Sequence, residues 1–147
     1  MKNVLELLER TAARLPRQTA FADQQCSYDY QTVVNIAGSV GSALAANGDR
    51  NCPVAVLMER GAPCLVTLMG VLYSGNFYVV LDPEMPAERV NKILRTLQPT
   101  ALICDEAHKD DPAGLDYDGK VYSAEALAAG QAQPVLLQTV RRRMIDT

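Results

Sequence analysis

The sequence predicts an α/β fold in three layers, with helices on both faces of a mostly parallel sheet. Three short apolar segments, Pro53 to Met58, Phe77 to Leu81 and Thr100 to Cys104, lack polar alternation, which is typical of strands covered on both faces. Helical patterns separate these segments, and alternating strands and helices build a parallel sheet with right-handed crossovers. The chain has 147 residues, 48% hydrophobic and 21% charged. We therefore expect one soluble globular domain.

The chain begins with an amphipathic pattern followed by a hairpin pattern. Apolar residues recur at helical spacing from Val4 to Leu15, which predicts a first helix with one buried face. The segments Thr19 to Asp23 and Cys26 to Tyr28 then predict two short antiparallel strands, with Gln24-Gln25 at the turn.

A long helix is predicted from Tyr30 to Leu44, where apolar residues form a continuous stripe. Ser27 is predicted to cap its start, because a serine hydroxyl accepts hydrogen bonds from the first free backbone amides of a helix. Asn47-Gly48 is predicted to follow its end, because glycine readily adopts the left-handed conformation found there.

The centre of the chain predicts a buried helix and an amphipathic one. The segment Cys64 to Tyr73 is apolar nearly all round, and Gly75 is suited to terminate it. Leu68 and Val79 are therefore expected to be core residues. Pro86 suits the first turn of the next helix. The apolar stripe of that helix is Val90, Ile93, Leu94 and Leu97.

The region after the third apolar strand predicts a short fourth strand at Val121-Tyr122 and a helical turn from Ala124 to Ala129. Ser123 is placed to cap that turn, and Gly130 is placed to end it.

The stretch from Gln131 to Thr147 has no clear assignment. Val135 to Leu137 is apolar, but the pattern offers nothing for it to pack against, so these side chains are expected to be exposed. Arg141 to Arg143 is predicted to be a solvated tail.

Composition excludes several classes of protein. The net charge of -3 gives no electrostatic reason to expect nucleic acid, and no apolar run approaches the length that a membrane span needs, so we expect a cytoplasmic protein. His108 is the only histidine, and alone it supports neither a metal site nor a histidine-based triad. The widely spaced cysteines favour buried, reduced thiols over a disulfide framework or a zinc site. They are Cys26, Cys52, Cys64 and Cys104.

The segment Gly70 to Val90 resembles the second core motif of the adenylate-forming, or AMP-binding, enzymes. That motif runs Leu-Lys-Ala-Gly-x-Ala-Tyr-Val-Pro-Leu-Asp-Pro-x-x-Pro-x-Glu-Arg-Ile, in the form typical of amino-acid-activating domains and of ligases that load D-alanine onto a carrier protein. The segment Cys26 to Gln31 is similar, though less closely, to the first core motif of the family, Leu-Thr-Tyr-x-Glu-Leu. The departures from the second motif are Tyr73 for lysine, Ser74 for alanine, Phe77 for alanine and Val80 for proline.

The resemblance implies that residues 1–147 are the N-terminal fragment of an adenylation domain and end before its phosphate-binding loop. The glycines are scattered and form no glycine-rich loop of the kind that cradles phosphates. We therefore assign no catalytic, cofactor-binding or metal-binding residue to this fragment, and we expect no cofactor in it. ATP and magnesium are implied for the full-length enzyme.

The function that the resemblance implies is the scaffold portion of an ATP-dependent amino-acid-adenylating ligase, similar to those of nonribosomal peptide synthetases. Such a ligase forms an acyl-adenylate and then a thioester on a carrier protein, and this fragment is expected to be inactive alone. The partners that the resemblance implies are the remainder of the enzyme and the carrier protein. A twofold homodimer is expected separately, through the apolar surface or exposed strand edge that truncation would leave uncovered. Two alternatives are a stand-alone nucleotide- or acid-binding module, with Arg60 as its obvious anion donor, and a non-catalytic interaction domain.

Overall fold

Helices cover both faces of a four-stranded parallel sheet in the computed structural model, which describes residues 4–142. The three-layer α/β prediction is therefore confirmed. The elements are α1 (Val4–Arg14), β1 (Thr19–Ala22), β2 (Ser27–Asp29), α2 (Tyr30–Ala45), β3 (Pro53–Leu57), α3 (Ala62–Tyr73), β4 (Phe77–Leu81), α4 (Ala87–Leu97), β5 (Ala101–Cys104), β6 (Lys120–Ser123), α5 (Ala124–Ala128) and α6 (Pro134–Arg142). Two short 3-10 helices, Glu106–His108 and Asp111–Gly114, lie between β5 and β6.

The sheet has the strand order β4-β3-β5-β6, and every pair in it is parallel. The chain runs from β3 through α3 to β4 on one side, and then returns through α4 to β5 on the other side of β3. The order of the sheet thus reverses between β3 and β5. A separate antiparallel hairpin, β1 with β2, confirms the hairpin prediction.

The central strand β3 is buried on both faces, as its continuous apolar run predicts. Val54 and Val56 pack with residues of α2, α3 and α5, whereas Ala55 and Leu57 pack with residues of α4. Successive side chains of a strand point to opposite faces, so a strand between two helical layers must be apolar at every position.

The strand β4 corrects the prediction that it is buried on both faces. It lies at an edge of the sheet, and Phe77, Tyr78 and Val80 are exposed. Val79 is half-buried, whereas Leu81 is fully buried, so the prediction that Val79 is a core residue is wrong. The same prediction for Leu68 is confirmed.

Two glycines allow α2 and α3 to pack unusually close together. A Cβ atom added at Gly41 would lie 2.5 Å from the Cβ of Tyr73 and 3.0 Å from the backbone oxygen of Gly70. A Cβ added at Gly70 would lie 2.5 Å from the Cβ of Val40. These glycines therefore set the distance between the two helices.

The start of α2 also departs from the prediction. Asp29, not Ser27, is the N-cap, and its carboxylate accepts a hydrogen bond of 2.8 Å from the backbone amide of Thr32. Ser27 is instead part of β2, paired with Ala22, because the hairpin continues directly into the helix. This hydrogen bond lowers the pKa of Asp29.

The predicted boundaries at Ser123, Gly48 and Gly75 are confirmed, whereas Pro86 is the N-cap of α4 and lies one residue before its first turn. Ser123 caps α5 by accepting from the backbone amide of Ala126 at 3.2 Å. Gly75 and Gly48 follow α3 and α2 with φ of 82° and 85°, in the left-handed region that favours glycine.

The C-terminal segment forms the helix α6, which packs on α2 and α3. Val135 is exposed as predicted, but Leu136 and Leu137 are half-buried and Val140 is buried. The expectation of an exposed apolar segment is therefore correct for Val135 alone. Arg143, in the predicted solvated tail, lies outside the described residues. None of the helices within residues 4–142 is long and apolar enough to cross a membrane.

Candidate functional site

The most natural candidate site is a crevice at the carboxyl ends of β3 and β5, where the strand order reverses. Open parallel sheets bind ligands at such a reversal. The crevice has a volume of about 240 Å³. Several parts of the fold line it. The residues are Met58, Glu59 and Arg60 from the loop after β3, Pro63 from α3, Asp105, Glu106 and Ala107 after β5, Asp23, Gln25 and Cys26 from the hairpin, and Glu125 from α5.

The N-terminus of α3 opens into this crevice, but a carboxylate of the chain already neutralises its partial positive charge. Asp23 accepts a hydrogen bond of 2.7 Å from the backbone amide of Ala62, the first residue of α3. It also accepts from the amides of Gln25 and Cys26 at 2.7 Å each. These hydrogen bonds lower the pKa of Asp23, the one from Ala62 most strongly. A carboxylate therefore occupies the position where the helix dipole would favour a bound anion.

A second network crosses the crevice between the loops. Asp105 accepts hydrogen bonds from the backbone amides of Glu59 at 2.9 Å and His108 at 3.1 Å. The imidazole of His108 contacts Glu59 through Nε2 at 2.7 Å and Asp111 through Nδ1 at 2.9 Å. The hydrogen bond to Glu59 is the main cause of the raised pKa of His108. Burial lowers this pKa, whereas Asp111 and Asp105 raise it further. The only histidine thus joins two loops through carboxylates.

The charge of the crevice is unfavourable for nucleotide phosphates. Five carboxylates line it, from Asp23, Glu59, Asp105, Glu106 and Glu125, against one guanidinium, from Arg60. A cleft with an excess of one charge repels ligands of the same sign. Within residues 4–142, no group of three or more histidine, cysteine, aspartate or glutamate side chains is placed to hold a metal ion. The residues present therefore do not fit ATP with magnesium, and we assign no catalytic step to them.

Replacing Glu59 by glutamine is expected to lower the pKa of His108, because the Glu59 carboxylate is the largest contributor to its elevation. His108 contributes to the free energy of unfolding below its unfolded pKa of about 6.5, and this contribution is lost as the pH rises through the folded pKa. Proton NMR of the single imidazole measures the pKa directly. The matched control, Asp116→Asn, removes a carboxylate that pairs with Arg95 instead, and should leave this pKa unchanged. Equal shifts in both variants would contradict the role of Glu59.

All four cysteines are free thiols, as predicted. Cys64 and Cys104 are buried, and their burial raises the pKa of both thiols. A thiol with a raised pKa stays protonated at neutral pH and is a poor nucleophile. Cys26 and Cys52 are only half-buried, which corrects the prediction for those two positions.

A second feature lies at the opposite end of α3, where α1, α3 and α6 meet. Glu9 accepts a hydrogen bond of 2.7 Å from the hydroxyl of Tyr73. It also accepts from Nη1 and Nη2 of Arg141 at 3.2 and 3.0 Å. The guanidinium of Arg141 lies 5.3 Å from the centre of the Tyr73 ring. Burial and the hydrogen bond to Glu9 raise the pKa of Tyr73, so its phenol remains a donor.

The sequence pattern does not predict this Glu9-Tyr73-Arg141 cluster. Arg141 is predicted to lie in a solvated tail, and that prediction is wrong because its side chain pairs with Glu9 and stacks on Tyr73. Glu9 and Arg141 are 132 residues apart, so no local periodicity links them. The cluster borders a cavity of about 320 Å³ between α2, α3 and α6.

Comparison with known proteins gives consistent matches. The family model described as AMP-binding enzyme matches residues 8–142. A plipastatin synthase chain of Bacillus subtilis (strain 168) is 26% identical over 136 residues, covering 92% of this chain and 4% of that protein. A mycosubtilin synthase chain of Bacillus subtilis is 30% identical over 125 residues, covering 84% of this chain and 5% of that protein.

Solved structures share the fold. The nonribosomal peptide synthetase FmoA3, bound to α-methyl-L-serine-AMP, superposes with a TM-score of 0.78 at 22% identity, covering 86% of this chain and 14% of that one. VinN in complex with L-aspartate gives a TM-score of 0.76 at 21% identity, covering 95% of this chain and 38% of that one. The chain therefore spans only a small part of each of these relatives.

Proposed function

The chain belongs to the AMP-binding enzyme family and has the fold of the N-terminal part of an adenylate-forming enzyme, and from this premise we propose that it is the scaffold portion of an ATP-dependent, amino-acid-activating ligase. In the proposed ligase, the amino-acid carboxylate attacks the α-phosphorus of ATP and expels pyrophosphate. The aminoacyl group then passes from the adenylate to the thiol of a carrier protein, which releases AMP. The remainder of the enzyme supplies the groups that carry out these steps.

The main support for the proposal is that the chain matches the family over most of its length but lacks grouped donors for phosphate in its crevice. The family match extends over residues 8–142, yet the crevice at the carboxyl ends of β3 and β5 is acidic and its helix N-terminus is compensated by Asp23. Phosphate recognition needs grouped cationic or amide donors. A domain that retains the sheet without those donors is suited to supporting a site formed elsewhere in the enzyme.

Two observations support an amino acid as the substrate. The matched relatives include nonribosomal peptide synthetase 7 of Gibberella zeae. The segment Asp82 to Arg89 also follows the motif form typical of amino-acid-activating members. The fold does not contribute to this choice, because a fatty acid AMP ligase from Legionella pneumophila shares it with a TM-score of 0.76.

The chain alone is expected to bind ATP no more tightly than about millimolar, because charge-assisted contacts to phosphate require donors that the crevice lacks. Titration calorimetry with ATP and magnesium chloride tests this expectation. Exchange of labelled pyrophosphate into ATP, in the presence of a mixture of amino acids, should not exceed the rate of a blank without protein.

Micromolar binding of ATP would instead support the stand-alone nucleotide module. Arg60 is the one guanidinium of the crevice, so Arg60→Ala should then abolish the binding. Loss of binding in that variant would indicate that the nucleotide lies in the crevice at the carboxyl ends of β3 and β5, and the scaffold proposal would fail.

The chain is also expected to self-associate through the outer edge of β4. Among the described strands β4 pairs only with β3, and its residues carry no charge or proline that would discourage a further strand. The exposed side chains Phe77, Tyr78 and Val80 add apolar area beside that edge. A twofold dimer in which two β4 edges pair would cover both features.

Light scattering over a concentration series up to about 100 micromolar measures this association, a range in which a modest apolar interface would be populated. Val80→Lys places a charge beside the edge and should shift the equilibrium toward monomer. Val121→Lys is the matched control, because Val121 is equally exposed but lies in β6 at the opposite edge. A monomer throughout the series would contradict this interface.

A further inference from the structure

We infer that the Glu9-Tyr73-Arg141 cluster is a latch that fixes the orientation of α6, which makes Glu9 and Tyr73 positioning residues for the part of the enzyme that follows α6. The inference rests on the proposed function only for what α6 leads to, namely the catalytic part of the ligase. The latch itself is a property of the residues described in this chain.

Few apolar side chains of α6 are fully buried. Its nine residues include Val135, which is 78% exposed, and Leu136 and Leu137, which are half-buried. Val140, in contrast, is buried and packs closely on Gly75. A Cβ atom added at Gly75 would lie 2.8 Å from Cγ1 of Val140. A helix of this length is marginal in isolation and depends on tertiary contacts.

Two polar attachments hold α6, one at each end. Before its first residue, the backbone amide of Gln133 donates to the hydroxyl of Ser42, a buried residue of α2, at 2.7 Å. In its last turn, Arg141 pairs with Glu9 and stacks on Tyr73. Between these attachments α6 borders the cavity of about 320 Å³. Because α6 borders a cavity between these attachments, the two polar contacts at its ends help to set its direction.

The geometry at Arg141 constrains orientation as well as distance. Both terminal nitrogens of the guanidinium contact Glu9, and the same group lies over the ring of Tyr73, whose hydroxyl contacts Glu9 in turn. A planar guanidinium held by a carboxylate and an aromatic face has little freedom to rotate, whereas a lysine ammonium would act as a point charge. The side chains of Arg141 and Glu9 are 26% and 43% exposed, so the ion pair is shielded in part from water.

The three residues come from three separate elements. Glu9 lies in α1, Tyr73 is the last residue of α3, and Arg141 lies in the last turn of α6. The cluster therefore couples the direction of α6 to the scaffold formed by α1 and α3. A change at Glu9 should alter the C-terminal end of α6 without altering the sheet.

Hydrogen exchange of backbone amides, measured by mass spectrometry on this chain, tests the latch. Glu9→Gln should accelerate exchange in residues 138–142 by about 5- to 30-fold, while exchange in β3 and β5 stays unchanged. Tyr73→Phe removes only the hydroxyl and should accelerate the same amides by about 2- to 10-fold. Glu106→Gln is the matched control, because its carboxylate pairs with Lys109 in a separate loop and should leave α6 unchanged.

Two further variants separate geometry from charge. Arg141→Lys keeps the charge but loses the paired contacts and the stacking, so exchange should accelerate nearly as much as in Glu9→Gln. The double variant Glu9→Arg with Arg141→Glu restores an ion pair and should recover part of the protection.

The inference would be overturned by unchanged exchange of α6 in Glu9→Gln, or by equal acceleration in β3 and β5, which would indicate general destabilisation. Exchange at the original rate in Arg141→Lys would also overturn it, because charge alone would then suffice. These readouts do not depend on nucleotide, so a failed latch is distinguishable from a failed scaffold proposal, which rests on calorimetry with ATP.

Discussion

Leu102→Ala is expected to lower the free energy of unfolding by about 3 to 5 kcal/mol, the range typical of large cavities in protein cores. Leu102 lies in β5, between β3 and β6, and its side chain is 0% exposed. It packs in the cluster that joins the sheet to α4, together with Leu57, Leu81 and Leu94. The neighbours are held by strand pairing on both sides, so the structure cannot relax easily to fill the space.

Urea denaturation followed by circular dichroism measures this loss, provided that the slope of the transition is the same in both proteins. Val80→Ala is a useful comparison, because Val80 lies in edge strand β4 and is 47% exposed. It is expected to cost less than about 1 kcal/mol. If Leu102→Ala cost less than about 1 kcal/mol as well, the assignment of β5 to the centre of the core would be incorrect.

Gly41→Ala is expected to lower the free energy of unfolding by about 1 to 3 kcal/mol, because it overpacks the crossing of α2 and α3. The added methyl group would lie 2.5 Å from the Cβ of Tyr73 and 3.0 Å from the backbone oxygen of Gly70. Backbone atoms in packed helices cannot move aside as a flexible side chain can. Helix propensity acts in the opposite direction, because alanine stabilises an isolated helix by about 1 kcal/mol relative to glycine. A net loss of stability would therefore show that overpacking is the larger effect.

Gly114→Ala is the control for this prediction, because nothing lies within 4 Å of the added atom. It should change the free energy of unfolding by no more than about 0.5 kcal/mol. Thermal unfolding of the two variants provides the measurement. A more stable Gly41→Ala protein would show that helix propensity outweighs the close approach of α2 and α3.

The local pattern of the chain was sufficient to predict most of the fold. The strands β3 and β5 and the helix α3 are apolar throughout because each is enclosed by neighbours, and the cap at Ser123 and the glycine turns at Gly48 and Gly75 depend on residues close in the sequence. The segment Gly70 to Val90 combines these local signals in one motif. That is why the family could be predicted from the residues alone and was then confirmed by the match over residues 8–142.

The position of each element relative to the others was decided only by the tertiary structure. The apolar run of β4 is the same whether a strand is central or at an edge, so the exposure of Val80 could not be predicted. The cap at Asp29 rather than Ser27 depends on where strand β2 ends.

The electrostatic contacts between distant residues were also decided only by the tertiary structure. Asp23 compensates a helix that begins 39 residues later, and Glu9 pairs with a residue 132 positions away. Periodicity reports the surroundings of a residue within its own helix or strand. Contacts between distant charges depend instead on how the folded elements are placed, and no pattern local to either residue contains that information.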